Sequence, residues 1–166
     1  MGPDGNAVFF LRSKFELVKS YHRVLEDDRK CPSNATVLVV ELEHKESRQR
    51  LAVFVTHLKA KKGCEGIREA QTRHLLELVK EESAARTLLV GDFNAPLQVG
   101  VESADNCEHD HDAQEPVYGL VVDSGLVSAY SSVMGCEPEY TTWKVTASNT
   151  TSILVIFVQV FHRLFM

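Results

Sequence analysis

Thr87-Leu88-Leu89-Val90-Gly91-Asp92-Phe93-Asn94-Ala95-Pro96 opens apolar and closes on Gly, Asp and Asn. Its first half reads as a buried strand, and its second half as the polar turn that ends the strand. Side chains alternate in extended backbone, so Asp92 and Asn94 address one point while Phe93 faces the core behind them. Pro96 stops the ladder, having no N–H to give it. Asp and Asn are also ordinary turn formers, and this stretch alone leaves a plain turn as open as a site.

Leu51-Ala52-Val53-Phe54-Val55-Thr56-His57-Leu58-Lys59-Ala60-Lys61 repeats the design, an apolar strand that ends in His and two Lys. If the backbone stays extended, His57, Lys59 and Lys61 share one side. Side by side, the two strand ends offer hard oxygen ligands of the kind Mg²⁺ takes, together with cationic donors for phosphoryl oxygens.

Two further segments join these. Gly2-Pro3-Asp4-Gly5-Asn6-Ala7-Val8-Phe9-Phe10, Val55-Thr56-His57-Leu58-Lys59, Gly91-Asp92-Phe93-Asn94 and Tyr140-Thr141-Thr142-Trp143-Lys144 stand in the order found in the endonuclease/exonuclease/phosphatase superfamily. The chain resembles that superfamily over residues 2 to 149. It is most similar to the branch that removes the 2′-phosphate of NADP(H), with the poly(A) deadenylases of the carbon catabolite repression complex close by. The resemblance implies an α+β fold, here a partial four-layer α/β sandwich of the DNase I-like type, and Mg²⁺-dependent hydrolysis of a phosphoester. It also implies roles: Asp92 orients or deprotonates the attacking water, Asn94 holds the phosphate, and His57 donates to the phosphoryl oxygens. Lys59 and Lys61 supply positive charge, and Asp4, Asn6 and Phe10 shape the substrate pocket. Arg68 reaches towards the phosphate by resemblance, although a surface salt bridge is the plainer fate of an Arg at a helix start. That branch carries Arg where this chain has Lys61, which keeps the charge and loses the planar fork.

The implied partner is a nucleotide substrate, NADP(H), or the 3′ end of poly(A) RNA, with no membrane and no stable protein partner. The implied compartment is cytoplasmic, or mitochondrial for a longer form. No residue matches the superfamily's metal-binding glutamate or its terminal Ser-Asp-His, and no metal ligand is assigned. The reading is therefore a partial domain over 1–149, cut at both ends, followed by a divergent apolar tail over 150–166. A catalytically incompetent, poorly folded fragment is the opposing expectation.

A chain of 166 residues is long enough for one domain with a sizeable core. Its net charge of -5 argues against a protein that coats nucleic acid, but leaves room for a nucleotide in a local basic site. Cys31, Cys64, Cys107 and Cys136 are far apart and form no CxxC pair, so reduced thiols are expected. Residues 97–116 gather acid and histidine, including Cys107, His109 and His111. A solvated loop is expected there rather than a metal cluster.

Alternation predicts strands over 7–11, 15–21, 35–42 and 51–57, the last two as an antiparallel hairpin with Glu41 and Glu43 turned to solvent. Residues 65–83 predict a helix whose apolar face is Ile67, Ala70, Gln71, Leu75, Leu78 and Val79. Residues 117–123 predict a short helix. The apolar run 151–166 is shorter than the roughly 20 residues of a membrane span and shows no clear period. It is expected to act as a buried or aggregation-prone strand.

Overall fold

Period-two alternation builds a meander of three long strands, β1 (Phe15–Glu26), β2 (Pro32–His44) and β3 (Arg50–His57), in the computed structural model. The model describes residues 5–27, 32–60, 63–82, 86–95, 117–136, 142–144, 154–156 and 159–164. Both pairings are antiparallel, with Tyr21 opposite Val39 and Val39 opposite Phe54. β3 then crosses through α1 (Glu65–Glu81) to β4 (Arg86–Asp92), which lies parallel to β3. A parallel pair needs such a long connection, and a helix is the usual one. After α2 (Val117–Asp123), β5 (Val127–Ser128) and α3 (Ala129–Met134) come β6 (Thr142–Lys144), β7 (Leu154–Ile156) and β8 (Gln159–Leu164). The main sheet runs β1-β2-β3-β4-β8-β5, and β6 and β7 form a separate antiparallel pair.

One face of the sheet meets the helices. Val37, Val39, Ala52, Phe54, Leu89 and Phe93 pack against Leu75, Leu76, Leu78 and Val79 of α1, with Val117 and Val121 of α2 closing the cluster. Fully burying each large side chain contributes about 1.5–3 kcal/mol, so this layer dominates the stability of the described fold. The helix covers the face as its spacing predicts, with Arg73, Glu77 and Lys80 exposed. No helix among the described residues is long and apolar enough to cross a membrane.

Several expectations are corrected. Residues 7–11 form no strand: no neighbouring strand takes up their backbone ladder, and Phe9 is left 95% exposed. β1 extends five residues beyond the expected 21, because Leu25 re-enters the core and is fully buried. Glu41 and Glu43 do not face solvent. They lie on the helix-facing side of β2 and are buried among cations: Lys19 and Arg50 hold Glu41, at 3.4 and 3.1 Å, and Arg48 and Arg50 hold Glu43, at 2.7 and 3.4 Å. In the 150–166 tail, β7 pairs with β6, and β8 pairs with both β4 and β5. The 97–116 stretch, with Cys107, His109 and His111, lies outside the described residues.

Candidate active site

The site is built where two parallel strands end together. His57 closes β3, Asp92 closes β4, and the register sets them directly opposite each other. Ligands in sheets with parallel strands gather at such carboxyl ends, where side chains leave the ladder and backbone groups become free. Gly91 lets the strands close up. A Cβ at that position would sit 2.1 Å from the Thr56 carbonyl oxygen, so any side chain there would force β3 and β4 apart. His57 Nε2 lies 3.9 Å from Asp92 Oδ2, and both side chains reach solvent, His57 56% exposed and Asp92 31%. That separation is too long for a hydrogen bond and leaves each group available to a third.

Asp92 and Asn94 do come together, though not by alternation. β4 stops at Asp92, and Asn94 takes the left-handed backbone at φ 49°. Asn tolerates that region better than most residues. Asp92 Oδ1 accepts the Asn94 backbone N–H at 2.9 Å, closing an Asx turn, and Asn94 Nδ2 donates to the Leu58 carbonyl at 3.0 Å. The Leu58 N–H donates to the Asp92 carbonyl at 2.9 Å, carrying the ladder one step past His57. Phe93 is buried behind the turn as expected. Among the described residues, nothing else takes the second amide proton or the side-chain carbonyl oxygen of Asn94, and both can meet a ligand.

The remaining sequence candidates divide. Lys59 follows the strand end and is half-buried, its backbone N–H donating to Gln71 Oε1 at 3.0 Å. Asn6 reaches the same end of the sheet, donating to the Thr36 carbonyl at 2.9 Å; Thr56, one residue before His57, donates its hydroxyl to the same carbonyl at 3.0 Å. Phe10 is not brought to the site. It lines a groove with Phe15, Leu17 and Lys45 at the opposite end, where Phe15 pairs with His44. Arg68 is not on the surface. Its side chain is 4% exposed, and it donates to the Lys59 carbonyl at 3.1 Å and pairs with Glu65 at 3.4 Å. His74 accepts the Glu26 backbone N–H at 3.0 Å, a structural use. Asp4 and Lys61 lie outside the described residues. Gln71 was legible only as a member of the apolar helix face; an amide among leucines was the signal.

Among the described residues, no three His, Cys, Asp or Glu side chains gather around a common point. Mg²⁺ does not require such a cage. It keeps several waters and binds through one or two carboxylates plus substrate phosphates. Asp92 and the Asn94 carbonyl are hard oxygens of the right kind, and they fit as part of that shell.

No family model matches the chain. Its sequence is similar to nocturnin of Rattus norvegicus, 37% identical over 155 residues, covering 89% of this chain and 32% of the relative. Nocturnin of Drosophila melanogaster is 31% identical over 171 residues, covering 87% of this chain and 24% of the relative. The chain thus spans about a third or less of the length of these curated relatives. Among solved structures, the human nocturnin catalytic domain with bound sulfate anion superposes at a TM-score of 0.68 with 28% identity, over 92% of this chain and 50% of that one. An endonuclease/exonuclease/phosphatase family protein from Bacteroides thetaiotaomicron superposes at 0.58 with 17% identity, over 91% and 52%. That second likeness speaks for the fold alone.

Proposed function

We infer, from a chain that is a nocturnin-like member of the endonuclease/exonuclease/phosphatase superfamily, that it hydrolyses a phosphoester at the His57, Asp92 and Asn94 end of the sheet. The observation that carries this reading is the placement of His57 opposite Asp92, 3.9 Å apart and both reaching solvent, with Asn94 tied to the turn between them. The human nocturnin catalytic domain was solved with a bound sulfate anion, a tetrahedral anion like phosphate, which supports a phosphoester as the class of substrate.

The roles follow from the chemistry of each group. The Asp92 carboxylate accepts a hydrogen bond from the attacking water and takes up its proton, a role that its partial exposure allows. A ring N–H of His57 donates to a phosphoryl oxygen as negative charge builds there, and the Asn94 amide adds a second donor. The Lys59 ammonium lowers the potential felt by a polyanion approaching the strand ends. If Mg²⁺ binds here, Asp92 and the Asn94 side-chain carbonyl are the residues that would hold it, and it would supply neutralisation of phosphoryl charge.

The substrate that this reading favours is NADP(H), losing its 2′-phosphate, and the alternative is the 3′ end of poly(A). The purified chain with Mg²⁺ is given NADPH in one arm and oligo(A) in the other. Inorganic phosphate released from NADPH, and stopped by chelation, is the expected result. AMP released from oligo(A) without phosphate from NADPH moves the reading to the deadenylases. Turnover of neither overturns it and favours the non-catalytic alternative.

A further inference from the structure

We propose that Gln71, together with Arg68, is a positioning residue of this site, fixing the backbone at Lys59 from the helix behind it; this rests on the phosphoester reading above. Leu58 and Lys59 carry four backbone polar groups, and each one is taken. The Leu58 N–H goes to the Asp92 carbonyl at 2.9 Å and the Leu58 carbonyl receives Asn94 Nδ2 at 3.0 Å. The Lys59 N–H goes to Gln71 Oε1 at 3.0 Å and the Lys59 carbonyl receives Arg68 Nη1 at 3.1 Å. Two of these bonds come from the site itself and two from the first turns of α1. The peptide that links His57 to Lys59 is therefore held from both sides, and neither residue can shift without breaking a bond to the other wall.

Gln71 is costly where it sits. It is fully buried on the apolar face, and its Nε2 has no hydrogen-bond partner among the described residues. An orphaned buried donor costs about 1–3 kcal/mol. Leucine would satisfy the packing without that cost, so the packing alone does not account for an amide. The Lys59 N–H does account for it, since only an acceptor at that spot satisfies this backbone donor. Arg68 stands one turn earlier on the same helix face and is itself anchored by Glu65 at 3.4 Å, whose Oε1 also accepts the Gly63 N–H at 3.0 Å. The start of α1 thus grips the chain at Lys59 on the way out of β3 and at Gly63 on the way into the helix.

The test uses the whole chain carrying Gln71→Leu, which removes the acceptor at similar volume, and Gln71→Glu, which keeps an acceptor oxygen. Three readouts are taken: hydrogen exchange at the Lys59 amide, kcat and KM for phosphate release, and titration with inorganic phosphate followed at the His57 ring by NMR. Misplacement of a reacting group by about 1 Å costs on the order of 100-fold in rate, so Gln71→Leu is expected to lower kcat by about 10- to 100-fold. It should also expose the Lys59 amide to exchange and weaken the response of His57 to phosphate, while Gln71→Glu restores most of all three. A Gln71→Leu chain that melts lower yet keeps wild-type kcat per folded molecule and the wild-type phosphate titration overturns the proposal, since a packing role alone would do that. If the wild-type chain releases no phosphate, the phosphoester reading falls separately, and unchanged Lys59 exchange in Gln71→Leu still rejects the grip. If Gln71→Leu does not fold, Arg68→Lys is measured in the same way. Unchanged kcat and phosphate titration there reject the proposal, and their loss with a retained melt supports it.

Discussion

The two ends of the main sheet both carry charged side chains and use them in opposite ways. Where β1 meets β2, Glu41 and Glu43 are buried against Lys19, Arg48 and Arg50, with Glu82 from the end of α1 holding Lys19 at 3.1 Å. Where β3 and β4 end, His57 and Asp92 face each other across 3.9 Å and reach solvent. A charge that is matched inside the protein has little left to give a ligand, because moving its partner leaves a desolvated ion behind. A charge positioned but not matched can still do chemistry. Burial and pairing, rather than the density of charged residues, separate the structural end from the candidate active one.

The sharpest way to break this contrast is at Asp92. Asp92→Asn keeps an acceptor for the Asn94 N–H and removes the charge. Phosphate release should fall by about 1000-fold, equivalent to about 4 kcal/mol of transition-state stabilisation. The melting temperature should stay near that of the wild type, and a large drop in melting temperature would mean that Asp92 is a structural charge after all. Gly91→Ala tests the close approach beneath the site. With a Cβ placed 2.1 Å from the Thr56 carbonyl, β3 and β4 must separate, and a loss of about 3 kcal/mol or more in denaturant unfolding is expected, with activity lost alongside it.

At the other end, Glu41→Gln should cost about 1–2 kcal/mol in the same unfolding experiment, since Lys19 and Arg50 are half-exposed and recover some hydration. Its kcat should match the wild type. The smallest effect is in the pH profile. The hydrogen bond to Glu82 holds the Lys19 ammonium above its ordinary 10.5, and burial holds the Tyr21 hydroxyl above 10.0. A raised folded value means stability that is complete below the ordinary value and lost as pH rises through the raised one, so the charged end should loosen in alkali. Glu65 goes the other way. Its own backbone N–H and that of Gly63 hold its carboxyl below 4.5, so that contribution is present above 4.5 and lost as pH falls through the lowered value. Hydrogen exchange at Gly63 in acid and at β1 in alkali would separate the two.

Much of this was readable from residues in order. Alternation over 35–42 and 51–57 and the turn between them gave the hairpin, and the three- and four-residue spacing of Ala70, Leu75, Leu78 and Val79 gave α1 its buried face. The apolar-to-polar switch marked the ends of β3 and β4, and the structure sets those ends side by side because the two strands are parallel and joined by a helix. What could not be read depends on contacts distant in sequence. The burial of Glu41 needs Lys19 and Glu82, which meet only after α1 has folded back along the sheet. The convergence of Asp92 and Asn94 came from a left-handed turn where extended backbone was expected. The placement of β8 was hidden because its partners β4 and β5 lie far from it in sequence, and an apolar run does not say which strands it will join.

That last strand sets an order of events. β4 ends at Asp92, and β8, which covers its open side, begins only at Gln159. During synthesis at about 5–20 residues per second, β4 waits several seconds with one row of N–H and C=O groups unclaimed. The β4-β8-β5 side of the described sheet is therefore completed only after β8 has been made. Anything that slows or diverts β8 presents other copies of the chain with an edge made of Leu88, Leu89 and Val90, directly beneath the residues on which the proposed chemistry depends.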